Sequence, residues 1–475
     1  MSNQEFTIEQ IYTGCLAQGA YYLRSGDEAA IIDPLREVTP YLERAERDGV
    51  TIRYIFETHF HADFVSGHLT LAERTGAPII YGPNANPSFA AHIAADGEEF
   101  PLGELTIRVL HTPGHTMEST TYLLLDPNGK EHAIFTGDTL FLGDVGRPDL
   151  AQKAADMTQE QLAGTLFDSL RERIIPLPDD LIVYPAHGAG SACGKKMMKQ
   201  TVDTLGNQKR VNYALRADMT REEFIAEVTD GLEAPPAYFP LNVRMNREGY
   251  ADVEEVLADG LVPLDPEEFE AKANDLDAVV LDVRTPDDYA AGHVPGSIFV
   301  GLDGSFAPWV GELIVDVQQP ILLIAPDGRE EEAITRLSRV GFDRTLGYLG
   351  GGIEAWRRSG REVDTVATTT AETLAENADS VHPQPVFDVR KPSEFEAEHV
   401  AGAENTPLGT LNQHLNEFPD AKPFYLHCAG GYRSMIAGSM LKKRGIHNFI
   451  NVNGGMKAIR ETTTLLTEYQ CASTL

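Results

Sequence analysis

Cysteine is scarce in this chain. Only four occur among 475 residues, Cys15, Cys193, Cys428 and Cys471, far apart and with no CxxC pair. That excludes both a disulfide framework and a Cys-based zinc site, and it implies reduced thiols, one of which is free to react. Positive charge is also short, with 39 Lys and Arg against 72 Asp and Glu and a formal net charge of -33. Such a field repels nucleic acid and anionic membrane surfaces at long range, so neither is an expected partner, and it hints at a salt-tolerant source. No apolar run approaches the about 18 to 20 residues needed to span a bilayer, and the start Met1-Ser2-Asn3-Gln4-Glu5 lacks a basic leader or apolar core. A cytoplasmic location is therefore expected.

The length exceeds the about 250 to 300 residues at which a single core stops growing, which predicts about three domains. From Phe6 to about Val183, β-rich stretches (Glu28 to Ile32, Ile52 to Phe56, Leu105 to Leu110, Ile182 to Tyr184) alternate with helical runs such as Thr70 to Thr75. This predicts a layered α/β or αββα domain. A charged helical segment is expected from Lys195 to about Leu232, ended by the proline-rich Ala234 to Pro240. Beyond about Ala258 the chain repeats itself. Asp282-Val283-Arg284 through His293-Val294-Pro295-Gly296 returns as Asp388-Val389-Arg390 through His399-Val400-Ala401-Gly402, shifted by 106, and Gly351-Gly352 returns as Gly454-Gly455, shifted by 103. The repeat implies two copies of one small α/β fold, and Asp265-Pro266-Glu267-Glu268 reads as a helix cap opening the first. The expected domains are 1–258, 259–364 and 365–475.

Four short segments carry imidazole or carboxylate groups where a strand ends in a turn. They are Thr58-His59-Phe60-His61-Ala62-Asp63-Phe64, His111-Thr112-Pro113-Gly114-His115, Phe135-Thr136-Gly137-Asp138-Thr139 and Tyr184-Pro185-Ala186-His187-Gly188. Nitrogen and oxygen donors of this kind suit zinc or iron, and two histidines with one carboxylate favour non-haem ferrous iron with oxygen. Histidines can also cap strands or satisfy buried carbonyls, but four ordered segments argue against that reading. His92, His111 and His132 lack such context and are expected at the surface or in a second layer.

These four segments, in this order, resemble the metallo-β-lactamase superfamily over roughly the first 250 residues. Two-metal members carry His-x-His-x-Asp-His, and here Phe64 replaces the last histidine, so the second metal site is expected to be incomplete. Within the superfamily the closest resemblance is to the persulfide dioxygenases. By that resemblance His59, His115 and Asp138 would hold one Fe(II) per chain, with zinc the alternative. His61, Asp63 and His187 would stand behind them or act as alternative ligands. Gly143 to Asp149 resembles the same branch and makes Arg147 a substrate-binding candidate. Cys193, six residues after His187, could relay a persulfide near the metal or be a small residue packed beside a turn; it is kept as a candidate catalytic residue.

In the third domain, Phe424-Tyr425-Leu426-His427 reads as a buried strand leading into Cys428-Ala429-Gly430-Gly431-Tyr432-Arg433, before a helix expected near Ser434. The two glycines let backbone N–H groups point inward, and the helix terminus and Arg433 favour an anion on the sulfur. A buried structural thiol is the alternative, but such a residue needs neither the glycines nor the arginine. This loop, with the repeated Asp-Val-Arg and His-Val-x-Gly segments, resembles the rhodanese sulfurtransferases. A Cys-x4-Arg ring is, in that family, sized for sulfur. The resemblance implies Cys428 as nucleophile with Arg433, and Ala429, Gly430, Gly431 and Tyr432 around the transferred group. In the first copy Ala325 stands where the nucleophile should be, so that copy is expected to be silent.

Together the resemblances imply an αββα metallo-β-lactamase fold followed by two rhodanese-like α/β domains with parallel sheets. The implied activity is oxidation of a thiol persulfide by O2 to sulfite and thiol, coupled to sulfane-sulfur transfer that forms or uses thiosulfate, in sulfide detoxification. The alternatives are a zinc thioester hydrolase of the glyoxalase II type with accessory rhodanese modules, and a non-catalytic sulfur-carrier or sensor scaffold. A homo-oligomer is compatible with the sequence, and nothing in it requires one.

Overall fold

A computed structural model describes residues 6–152, 156–232, 234–314, 316–378, 383–462 and 466–467. They form two compact units, one reaching to Val253 and taking in Leu337–Gly341, the other holding the remainder.

The first unit contains two six-stranded sheets. One runs in the order β1 (Thr7–Thr13), β2 (Gln18–Ser25), β3 (Glu28–Ile32), β4 (Thr51–Phe56), β5 (Ile79–Tyr81), β6 (His92–Ile93). The other runs from β7 (Glu99–Leu102) through β8 (Leu105–His111), β9 (Thr120–Leu125), β10 (Glu131–Gly137) and β11 (Ile182–Pro185) to β12 (Asp203–Thr204). Alternate residues explain the layering. Tyr21, Leu23, Ala30, Ile32 and Phe56 face Ile107, Val109, Tyr122, Leu124 and Phe135 between the sheets. Their neighbours Tyr22, Ile31 and Ile55 face outward onto Tyr41 of α1 (Thr39–Asp48) and Leu71 of α2 (His68–Thr75). Leu123, Ile134 and Val183 likewise pack on Ala163 and Leu166 of α3 (Gln159–Ser169). Strands buried on both faces need apolar side chains at both parities, as these have. The result is the expected αββα order.

The charged stretch after Lys195 departs from expectation. α-Helix is confined to α4 (Leu205–Val211) and α5 (Arg221–Thr229), with a single 3-10 turn at Tyr213–Leu215 between them. The backbone N–H groups of Lys195 and Lys196 donate instead to the Asp144 carboxylate at 2.6 and 2.7 Å, and Met198 N to Leu142 O, so tertiary partners take the groups a helix would use. Pro240 does not end a helix. It sits in the first turn of α6 (Phe239–Glu248), where proline's missing N–H costs nothing.

The second unit holds two five-stranded parallel sheets of identical topology. The first is ordered β13 (Pro263–Leu264), β17 (Thr345–Leu349), β16 (Ile321–Ile324), β14 (Val279–Asp282), β15 (Ile298–Phe299). The second is ordered β18 (Thr368–Thr369), β22 (Phe449–Val452), β21 (Phe424–His427), β19 (Val386–Asp388), β20 (Glu404–Asn405). Asp265 caps the first helix of copy one through the N–H groups of Glu267 and Glu268. The repeated motif has a structural job in both copies. Arg284 and Arg390 clamp Asp282 and Asp388, while His293 and His399 stack on Tyr289 and Phe395 at 3.9 and 3.7 Å between ring centroids.

Candidate metal centre and cysteine loop

The metal-centre segments project from the C-terminal ends of β4, β8, β10 and β11. Asp33, just past β3, accepts hydrogen bonds from Thr58 N and Thr58 Oγ1, both at 2.8 Å. With its hydrogen committed to Asp33, the Thr58 oxygen can accept the Nδ1–H of His59 at 3.0 Å. His115 Nδ1–H donates to the carbonyl of Arg147 at 2.9 Å. Both rings are thereby fixed in the tautomer that leaves Nε2 unprotonated, the form a metal needs. Gly146 permits this approach, because a Cβ there would lie 2.1 Å from Asp138 O and 2.9 Å from His115 Nδ1.

His59 Nε2 and His115 Nε2 lie 3.9 and 3.5 Å from Asp138 Oδ2. Bonds of about 2.1 Å at ordinary coordination angles put ligand atoms about 3.0 to 3.4 Å apart, so a modest contraction closes the set on one ion. All three side chains are buried, and among the described residues neither oxygen of Asp138 accepts a hydrogen bond from an N–H or O–H group. A buried carboxylate without donors is costly unless a cation completes it. Burial, reinforced by the neighbouring imidazoles of His61, His115 and His187, holds His59 well below the usual histidine range and keeps it neutral. The residues fit a metal.

His61 is turned away. Burial opposes its charge, but Asp33 at 3.1 Å and Glu57 at 3.4 Å push it up to about 10. Glu57 in turn accepts from Ser66 Oγ and lies 3.4 Å from His68 Nδ1.

Asp63, His187 and Cys193 form a second group of converging donors. His187 Nε2 lies 3.4 Å from Asp63 Oδ2 and 3.5 Å from Asp138 Oδ1, so the two oxygens of Asp138 face different groups. Phe64, buried against the His61 ring at 4.3 Å, offers no ligand. Sequence reasoning did not foresee that Cys193 would stand with Asp63 and His187. Burial, with Asp63 and Asp138 nearby, pushes its thiol well above the usual range. A buried neutral thiol is a weak nucleophile, whereas beside a cation the same sulfur is a ligand. Arg147, expected to bind substrate, points its guanidinium at Asp149 through two 2.8 Å hydrogen bonds and at Ala192 O at 3.2 Å. Among the other histidines, His92 is exposed and His111 is tied to Met117 O.

In the second unit, Cys428 follows β21 directly and is buried. Gly431 N donates to its Sγ at 3.1 Å. The Gly454-Gly455 echo explains itself here. Gly455 has φ +52, a Cβ on it would lie 2.3 Å from Cys428 O, and the next residue, Met456, donates its N–H to that oxygen at 2.7 Å. The following helix, α7 (Tyr432–Lys443), starts two residues earlier than expected, which puts Arg433 in its first turn. Arg433 pairs with Glu394, and Tyr432 OH donates to Gly301 O at 2.7 Å. Glu394 escaped sequence reasoning, although it lies inside the repeated segment. Cys15 is partly buried beside Arg339, and Cys471 lies outside the described residues.

Residues 13–187 match the Metallo-beta-lactamase superfamily, and residues 265–359 and 370–462 each match the Rhodanese-like domain. The hydroxyacylglutathione hydrolase of Rhizobium etli is 35% identical over 215 residues, 44% of this chain and 75% of the relative. The human mitochondrial persulfide dioxygenase ETHE1 is 30% identical over 205 residues, 42% of this chain and 71% of the relative. A crystal structure of a metallo-beta-lactamase from Staphylococcus aureus superposes with a TM-score of 0.64 at 29% identity, covering 73% of this chain and 99% of that one. The chain belongs to the metallo-beta-lactamase superfamily. Behind that domain it carries two rhodanese-like domains, in the architecture of a persulfide dioxygenase–rhodanese fusion.

Proposed function

We propose that this chain is a persulfide dioxygenase coupled to sulfane-sulfur transfer at Cys428, with domain divisions near residues 258 and 364 and a cytoplasmic location. The reading rests on one observation above all: two buried imidazoles with their Nδ1 atoms tied down, and one carboxylate without N–H or O–H donors, converge from three strand ends. That set suits ferrous iron, one per chain, which when bound supplies activation of O2 and of the persulfide sulfur. The overall reaction takes R–S–SH, O2 and water to R–SH, sulfite and two protons, the terminal sulfur giving four electrons to O2. Thr58 and the Arg147 carbonyl orient the two imidazoles, and burial of His59, His115 and Asp138 shields them from bulk water.

At the second site, the Cys428 sulfur takes up a sulfane sulfur from a donor, releasing the donor's remaining group. It then passes that sulfur to sulfite as thiosulfate, or runs the exchange in reverse. Gly431 N–H stabilises charge on the sulfur, and Arg433 with the loop residues Ala429, Gly430 and Tyr432 surrounds the group in transit. Ala325 makes the first copy silent. Both chemistries handle sulfane sulfur, which gives their fusion a purpose in sulfide detoxification.

A second reading, a two-metal thioester hydrolase, draws on the Asp63–His187–Cys193 group and on the hydroxyacylglutathione hydrolase relatives. Metal analysis of protein isolated without added metal separates them. The dioxygenase reading expects about one iron per chain; two zincs per chain with thioester cleavage would reject it.

A further inference from the structure

We propose that the silent rhodanese-like copy is a positioning module for the Cys428 loop, acting through Tyr432. This rests on the proposed role of Cys428 only for its consequence in sulfur transfer; the geometry stands by itself. Tyr432 lies between the two loop residues that bear on the sulfur, Gly431, whose N–H reaches Sγ, and Arg433. Its side chain does not stay with its own domain. The hydroxyl donates to Gly301 O at 2.7 Å, and the ring meets the edge of Phe299 at 6.0 Å between centroids. The slot is cut for this ring, since a Cβ on Gly304 would lie 2.3 Å from Tyr432 Cζ and one on Gly301 would lie 3.3 Å from Cε2.

The same helix is held further along. Ser439 Oγ accepts from Phe299 N at 3.0 Å, and Lys442 Nζ pairs with Asp364 at 2.8 Å. Tyr432 and Ser439 are seven residues apart, two helical turns, so they lie on one face. Ser434 through Leu441 are all buried, whereas a helix lying on a sheet of its own domain alone would show water one side. The first copy thus covers the outer face of the helix that begins at the catalytic loop. Displacing the Tyr432 ring shifts Tyr432 and its covalent neighbour Gly431, and with Gly431 the N–H of the Gly430–Gly431 peptide aimed at the sulfur. A domain with alanine in place of the nucleophile retains a share in the chemistry by fixing the position of Gly431 through its neighbour Tyr432.

The test uses the full chain with two substitutions, Gly304→Ala, which fills the slot from the silent copy, and Tyr432→Phe, which keeps the ring and removes only the bond to Gly301 O. Two readouts are taken: the pH–rate profile of Cys428 alkylation by iodoacetamide, followed on its peptide by mass spectrometry, and kcat and KM for sulfur transfer from thiosulfate to cyanide. Gly304→Ala is expected to move the alkylation profile to higher pH and lower kcat about tenfold or more with little change in KM, the scale of loss that small misplacements cause. Tyr432→Phe is expected to move both in the same direction by less, and Gly304→Ala should leave persulfide-dependent O2 uptake unchanged. A wild-type profile and kcat in a folded Gly304→Ala protein overturn the proposal; if that variant fails to fold, the same result in Tyr432→Phe does. Absence of sulfur transfer in the unmodified protein would instead reject the role of Cys428, and the alkylation profiles would still decide the positioning.

Discussion

Arg433 and Glu394 face one another fork to fork, Nη1 to Oε2 at 2.6 Å and Nη2 to Oε1 at 2.8 Å. The guanidinium that the loop motif offers to Cys428 is therefore already shared with a carboxylate from the helix Pro392–Ala397. The pair presents a damped positive field to the sulfur, since the two charges partly cancel. Glu394→Gln keeps the shape and removes the negative charge. Cys428 alkylation at fixed pH should then become faster while sulfur transfer slows, because the arginine loses its bidentate anchor. Parallel acceleration of both would show that Glu394 only attenuates charge.

Thr58 joins Asp33 to His59 in a buried relay. Thr58→Val preserves shape but removes the acceptor for His59 Nδ1–H and leaves Asp33 without one of its donors. Metal affinity, measured by chelator competition, should fall about 10- to 100-fold, the usual cost of losing a partner behind a ligand. Unchanged affinity would mean that packing alone orients the ring.

Cys193 distinguishes one metal from two. If Asp63, His187 and Cys193 serve only as surroundings, Cys193→Ala retains the full iron content and O2 uptake. Loss of one metal equivalent out of two would make the sulfur a ligand.

His293 ties acidity to stability. Burial drives it down to about 4, against the carbonyl of Tyr289 and the carboxylate of Asp364, which favour charge. The native state thus prefers the neutral ring. Its contribution is complete above the unfolded value of about 6.5 and is lost as pH falls through about 4. Urea unfolding of the full chain should show the transition assigned to the second unit weakening from pH 7 to pH 5, and His293→Gln should flatten that slope. An identical slope in the variant would remove His293 as the cause.

Much of this was legible in the chain itself. Each metal segment is a strand end followed by a turn, and the repeat from Asp282 to Asp388 advertises a duplicated fold, because both signals are local. What escaped were pairings between distant positions. No periodicity joins Cys193 to Asp63, Thr58 to Asp33, or Tyr432 to Gly301. The helical segment expected from Lys195 does not begin there because Asp144, some fifty residues upstream, claims the N–H groups of Lys195 and Lys196.

Oxygen consumption by the iron-loaded protein, on addition of a low-molecular-weight persulfide, tests the central claim most directly. The account predicts one O2 consumed per sulfite formed, abolished by Asp138→Asn. No oxygen uptake from persulfide, together with metal-dependent cleavage of a glutathione thioester, would contradict it.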